Sequence, residues 1–313
     1  MLSNFIVSLQ AVAPMFIIMF IGAFIRRAGL ITDQETKKFN KIVFIVCFPP
    51  MMFSNLYGRE LEHAVDLRLI GFAVAVVLGM YALTVLFVLK IEKSQKTRGA
   101  MIQAIYRSNF VIMGIPVVQN VFGRGDLAVT AMMVTIIVPL YNVIAVLTLE
   151  VFRGSKPNVK DILKNLAKNP ILIGAVSGVI AILTGLKLPA SIESPINMLA
   201  EAASPLAILL LGASFNFDTV KGERRNLIIC LCGRLIVFPA VGLIGGALMG
   251  FTGVKLLTLV AIFASPSAVT SFTMAQQMDS DYELAGNCVI FSSILSCFTM
   301  FLWIFALKSL GLI

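Results

Sequence analysis

Apolar residues run along this chain in long blocks separated by short polar loops. Ten blocks stand out: Phe5 to Ile25, Phe39 to Leu56, Leu69 to Leu89, Ala100 to Phe122, Leu127 to Leu149, Pro170 to Leu186, Ile196 to Phe215, Leu227 to Gly250, Leu256 to Met278 and Leu284 to Leu307. Most reach the roughly 20 residues that a helix needs to cross the hydrocarbon of a bilayer; the second and sixth are short. The pattern predicts an all-α polytopic membrane protein with ten transmembrane helices. The first block is too long for the apolar core of a cleaved signal and lacks a basic start, so it is read as the first span.

Two blocks carry an interruption. Block four contains Arg107-Ser-Asn109-Phe-Val-Ile-Met-Gly114-Ile-Pro116, continuing to Phe122-Gly123. Pro116 lacks an N–H, so the helix is expected to end near Gly114 and to restart at Pro116. Block nine contains Ala264-Ser265-Pro266-Ser267, which reads as a cap followed by a proline at the first position of a new helix. Backbone freed in this way has no partner in hydrocarbon and must face protein or a watery cavity. The two restarting helices, at Pro116 and Pro266, are expected to converge with their electropositive N-termini.

Composition agrees with the membrane reading. Hydrophobic residues make up 58% of 313, charged residues 13%, and the mean hydropathy is +0.95. The net charge of +9 does not point to nucleic acid, because the basic residues sit in short loops. Of the 25 Lys and Arg, seventeen fall in or beside the loops after spans one, three, five and seven. Six fall after spans two, four, six and eight or in the tails, and two, Arg107 and Arg234, lie within spans. That bias puts the odd loops in the cytoplasm and both termini on the extracytoplasmic side of the cell (inner) membrane. The five cysteines all lie in apolar blocks and read as packing residues.

The halves resemble each other. Gly29-Leu30 recurs as Gly185-Leu186, Asn40 as Asn197, Pro50 as Pro205 and Leu127-Ala128 as Leu284-Ala285, at shifts of 155 to 157 residues. Five spans per copy is an odd number, so the second copy enters the membrane inverted. The expected organisation is a first repeat over 1–152, a basic central cytoplasmic loop over 153–169 and a second repeat over 170–313, with broken spans four and nine crossing.

Few residues carry candidate chemistry. Asn109 either hydrogen-bonds a substrate carboxylate or ties two helices together. Arg107 either attracts an anion or extends to the cytoplasmic interface. Ser265 either offers its hydroxyl to the substrate or caps the next helix. Glu201, the one carboxylate clearly inside a span, carries a coupling proton or pairs structurally. Arg234 reads as an interfacial or packing residue, and Asp279, Asp281 and Glu283 as a solvated loop. Gly114, Pro116 and Pro266 complete the expected substrate site, and Pro50, Pro205 and Gly123 are assigned to the crossover framework. One histidine, His63 in a loop, leaves no zinc cluster or base for an enzyme, and no cofactor or metal is expected. The implied activity is secondary or potential-driven carriage of a small organic anion, with H+ or Na+ as the candidate coupling ion. An anion channel or membrane sensor is the alternative.

The Asn109-to-Pro116 run with Phe122-Gly123 resembles the fourth-span motif of the auxin efflux carrier family, which includes the plant PIN-formed proteins and bacterial malate- and malonate-type carriers. Phe39-Asn40-Lys41 before Phe48-Pro49-Pro50, Ser204-Pro205-Leu206 before Gly212, and Ser265-Pro266-Ser267 sit where that family has its corresponding patterns. The resemblance implies a sodium/bile-acid symporter-like fold, with a scaffold of spans one, two, six and seven and a moving unit of the other six. It also implies elevator-type alternating access, Asn109 at the substrate and Pro116 and Pro266 shaping the crossover. A homodimer through the scaffold helices is the candidate assembly. The short central loop resembles bacterial members rather than plant ones.

Overall fold

The computed structural model describes all residues except 1, 58–65, 112–114, 123–127, 154–158, 217–219 and 221, and the side chains of 2–12, Ile115, Asn120 and Val159. Gly114, Gly123 and His63 therefore lie outside the described residues. Among the described residues the regular elements are helices: α1 Leu2–Arg27, α2 Asp33–Leu56, α3 Leu67–Ile91, α4 Gln95–Tyr106, α5 Ile115–Phe122, α6 Ala128–Val151, α7 Val159–Ala167, α8 Pro170–Thr184, α9 Ala190–Ser214, α10 Arg224–Leu248, α11 Gly253–Ala264, α12 Thr270–Gln277 and α13 Tyr282–Ser309. Among the described residues six of these (α2, α3, α6, α9, α10 and α13) are long and apolar enough to cross a bilayer. Blocks four and nine are each split, into α4 and α5 and into α11 and α12. The central loop is not irregular throughout, because α7 lies within it and meets α8 at a 62° bend.

Local signals set five helix starts. Thr32 and Glu35 form a reciprocal capping box that begins α2 six residues before the apolar block does. Asp66, Ser94, Asn169 and Asp281 each accept a backbone N–H at the start of α3, α4, α8 and α13. The helices α1 and α8 end alike. Gly29 and Gly185 take positive φ (73° and 63°), and the residue after each donates back five positions, Leu30 N to Ile25 O and Leu186 N to Ala181 O.

Two wide π-type turns, Val43–Cys47 in α2 and Gly233–Val237 in α10, each run into a proline, Pro49 and Pro239. Proline cannot donate to the carbonyl four residues back. At Pro239 that carbonyl belongs to Leu235, and the Trp303 indole N–H from α13 donates to it at 3.2 Å.

The largest apolar core draws on α3 to α6 and α10 to α13, and none of its buried members comes from α1, α2, α8 or α9. Those four helices pack on one another at backbone distance. A Cβ placed on Gly22 of α1 would lie 2.0 Å from Leu209 O of α9, and one on Gly174 of α8 would lie 2.4 Å from Pro49 O of α2. Such contact lets dispersion act between main chains, which is the main attraction available to helices already surrounded by apolar lipid.

Bonds between loops sort into two ends. At one end Arg153 pairs with Asp279 (2.7 Å), Asn226 donates to Glu92 (2.9 Å) and Ser280 donates to Lys96 O (2.7 Å). At the other, Lys255 pairs with Asp66 (2.6 Å), Arg68 donates to Met249 O (2.7 Å) and Leu188 N donates to Tyr57 Oη (2.6 Å). Asp279 and Asp281 are thus bonded groups rather than freely solvated ones.

Gly22→Val is expected to lose about 1–3 kcal/mol by overpacking, read as a lowered melting temperature in detergent. Gly71→Ala, where nothing lies within 4 Å of an added Cβ, should leave it unchanged or raise it.

Candidate functional site

The two interruptions meet. After Tyr106 the chain runs extended through Arg107-Ser108-Asn109, and after Ala264 it runs extended through Ser265-Pro266-Ser267. Ser108 and Ser267 form an antiparallel bridge, and Asn109 N donates to Pro266 O at 2.7 Å. Ser267 adds two bonds: its Oγ donates to Ala104 O (2.8 Å), and its N–H donates to Ser292 Oγ of α13 (3.0 Å). Backbone that proline and chain reversal would leave bare is therefore paired strand to strand across the crossing.

This places the breaks earlier and later than the sequence suggested. The first half-helix of block four ends at Tyr106, eight residues before Gly114, while α5 does begin beside Pro116. In block nine the second half-helix starts at Thr270, so Pro266 lies in the extended crossing strand and not at a helix start. Ser265 does not cap it: its hydroxyl donates to Ala261 O (2.5 Å), closing the end of α11. The reason is pairing. Each extended strand gains partners from the other only if both open over the same residues, and proline position alone does not encode that register.

At the crossing the ends of α4 and α11 present carbonyls that have no helical N–H. Arg234, 0% exposed, fills that gap. Its Nε donates to Ser265 O (2.9 Å) and Nη1 to Ile105 O (3.3 Å) and Tyr106 O (3.0 Å). Its Nη2 donates to Ile262 O (3.2 Å) and Phe263 O. The guanidinium also stacks 4.6 Å above the Phe238 ring centroid. One cation thus answers the negative dipole ends of two half-helices at once. The reading of Arg234 as interfacial is corrected, since it is the buried tie of the crossover, aimed by the wide turn ahead of Pro239. The signal in the sequence was a charge mid-span followed five residues later by proline.

Arg107 stands on the other side of the crossing. It is 2% exposed, so it does not extend to the interface. Its Nη1 donates to Gln103 Oε1 (3.1 Å) and contacts Met274 Sδ (2.9 Å). Its Nη2 donates to Asn142 Oδ1 (2.5 Å) and Thr270 Oγ1 (2.6 Å). All four partners are neutral. Asn142 is oriented for this by donating its own amide to Val138 O (2.8 Å).

Arg107 lines a cavity of about 400 Å³ together with Ser108, Asn109, Tyr141 and Asn142 on one side and Ser54, Asn55, Asn197, Glu201 and Ser204 on the other. The second wall comes from α2 and α9, where Ser54 donates to Asn197 Oδ1 (2.8 Å). Asn109 is 7% exposed, and its Nδ2 has no hydrogen-bond partner among the described residues. Glu201 is exposed to the cavity one turn before Pro205, which sits inside α9 away from the crossing. Of the expected site residues, Arg107, Asn109 and Glu201 are brought together in the cavity. Pro116, Ser265 and Pro266 are not on its walls, and Pro50 lies within α2 beyond the wide turn. The cavity's Asn55, Tyr141, Asn142 and Asn197 were not singled out from the sequence, although polar side chains inside apolar blocks marked them. Among the described residues no group of three His, Cys, Asp or Glu side chains is placed to hold a metal.

Comparison with known proteins places the chain among membrane transporters. The family described as "Membrane transport protein" matches residues 7–161 and 155–304. Over 303 residues the chain is 25% identical to a Methanothermobacter thermautotrophicus protein named "Uncharacterized transporter", covering 96% of this chain and 98% of the relative. It is 26% identical over 306 residues to the Escherichia coli K12 protein named "Uncharacterized transporter YfdV", covering 93% and 95%. It is 24% identical over 139 residues to auxin efflux carrier component 1 of Arabidopsis thaliana, covering 42% of this chain and 22% of that protein.

The two arginines should separate in their effects. Arg234→Gln strands carbonyls from both half-helices and is expected to destabilise by about 3–5 kcal/mol, as removal of one partner of a buried charge network does. Arg107→Gln removes a charge with only neutral partners and should leave the detergent melting temperature within a few degrees of the parent.

Proposed function

We propose, from the premise that this chain belongs to the membrane transport protein family, that it carries a small organic anion across the cell membrane by alternating access at the crossover cavity. Membership makes it a multi-pass membrane transporter; substrate, direction and mechanism are our reading. One observation carries it: a buried guanidinium faces the cavity with neutral acceptors only. A buried charge without a counter-charge is costly, and an arriving carboxylate supplies what Arg107 lacks. The unpartnered Asn109 amide supplies a second donor at the same wall. The similarity to a protein named as an auxin efflux carrier supports an organic substrate.

Ten crossings account for the fold: eight continuous helices (α1, α2, α3, α6, α8, α9, α10, α13) and two interrupted pairs. Paired features 156 residues apart favour two inverted copies. The caps at Gly29 and Gly185 are one such pair. The approach of Gly22 to Leu209 has its counterpart in that of Gly178 to Phe53 O, 3.3 Å from an added Cβ. The end that joins Arg153 to Asp279 holds the basic loops and is assigned to the cytoplasm, which leaves both termini outside.

The mechanism we propose rests on the absence of α1, α2, α8 and α9 from the buried members of the largest core. Helices α1, α2, α8 and α9 form the scaffold, and the remainder move as one body around the crossover. The cavity lies where the two meet, so substrate rides on Arg107 and Asn109 of the moving unit past the scaffold wall bearing Glu201. An ionised Glu201 repels an anion in the same cavity, and a protonated one does not. Proton and anion therefore bind together, with H+ as the coupling ion. Without that proton, a monovalent anion leaving a negative interior gains about 2.3 kcal/mol per 100 mV.

In proteoliposomes, Asn109→Ala and Arg107→Gln should each lower carboxylate counterflow at least about tenfold, the worth of one charge-assisted hydrogen bond, while retaining the fold. Undiminished counterflow by well-folded protein would remove both from the site. Anion affinity should rise as pH falls in the parent, and Glu201→Gln should hold the high-affinity state at all pH values. A pH response that survives in Glu201→Gln would assign that carboxylate to packing.

A further inference from the structure

A second cavity, about 710 Å³, is cut into the side of the bundle between α1, α9 and α13. Its floor is made of small residues such as Ala23 and Ala213, and its walls of Phe16, Phe20 and Ile294. Phe20 is 72% exposed, as a side chain facing lipid is. The cavity is closed at one end by Arg26 and Arg27 in the last turn of α1. Arg26 is tied to Asp33 at 2.7 Å, and Arg27 is exposed, with no hydrogen bond or ion pair among the described residues. An apolar trough of this volume, with a cationic rim where the helix leaves the hydrocarbon, has the layout of an acyl chain joined to a phosphate.

We propose that this groove is a binding site for one anionic phospholipid of the cytoplasmic leaflet, its chain between α1 and α13 and its phosphate on Arg27 and Arg26. The occupant is a lipid and not a soluble anion because most of the lining is apolar and opens sideways. Charge complementarity makes it anionic, since Arg27 stands uncompensated at headgroup depth beside Arg26, whose charge Asp33 already meets, and such a cation favours that class over zwitterionic lipid by electrostatics that hold only near the surface. One wall, α1 with α9, is held at backbone contact by Gly212 against Met19, and α13 packs on that wall through Ile290 and Cys297.

The site is tested without any transport readout, so its failure is distinct from failure of the anion-carrier reading. Protein equilibrated in vesicles of equal parts phosphatidylglycerol and phosphatidylcholine is extracted, and the retained lipid is identified by native mass spectrometry. The parent should retain one phosphatidylglycerol in preference to phosphatidylcholine. Arg26→Gln with Arg27→Gln should lower that preference by roughly fivefold per arginine removed. Ile294→Trp, which fills the trough and leaves the arginines in place, should lower retention of both lipids, and an unchanged melting temperature verifies each fold. Equal retention of the two lipids by the parent, or a preference undiminished in either variant, would overturn the proposal.

Discussion

Inside hydrocarbon a peptide group has no water to fall back on, and this requirement governs the centre of the molecule. Two helices stop in the middle of apolar blocks, releasing carbonyls at the ends of α4 and α11 and N–H groups in the strands that follow. The strands answer each other through Ser108 and Ser267 and through Asn109 N on Pro266 O. The carbonyls are answered by Arg234, whose five donor contacts reach both half-helices. A guanidinium suits this task because it offers five N–H donors in a fixed plane, and a lysine has no such fork. Trp303 performs the same service on a smaller scale for Leu235 O behind Pro239.

With the carbonyls of the crossing met by Arg234, Arg107 is left bonded to neutral side chains alone. The two arginines are close in kind and opposite in circumstance: one is surrounded by main-chain carbonyls that need it, the other by side-chain amides, a hydroxyl and a thioether that do not neutralise it. The cavity beside Arg107 is walled on its far side by α2 and α9, which share no buried residue with the largest core. Smaller clusters join those two helices to the rest, α2 and α9 to α6 and α12, and α9 with α1 to α12 and α13.

Much of this was legible in the residues. Block lengths marked the long apolar helices, the interruptions in blocks four and nine were visible as Pro116 and Pro266, and Asn109, Arg107 and Glu201 were candidates from sequence alone. The location of each break was not. Proline marks where a helix can begin, but the helices end at Tyr106 and Ala264 because the strands beyond must pair with each other, and that register belongs to the tertiary structure. For the same reason Arg234 read as an ordinary interfacial arginine: its five acceptors come from residues 105, 106, 262, 263 and 265, which nothing in the chain's order brings together. The polar residues of α2 and α9 that complete the cavity wall, Asn55 and Asn197, also become a site only when the two halves face each other.

The central claim is that the uncompensated charge of Arg107 awaits an anionic carboxylate. The most direct measurement is thermal stabilisation of the purified protein by a panel of mono- and dicarboxylates, each set against its uncharged amide analogue. The account predicts saturable stabilisation by one or more carboxylates, none by the matching amides, and loss of the effect when Arg107 is neutralised. Equal stabilisation by acids and amides, or a carboxylate effect that persists without the arginine, would contradict it.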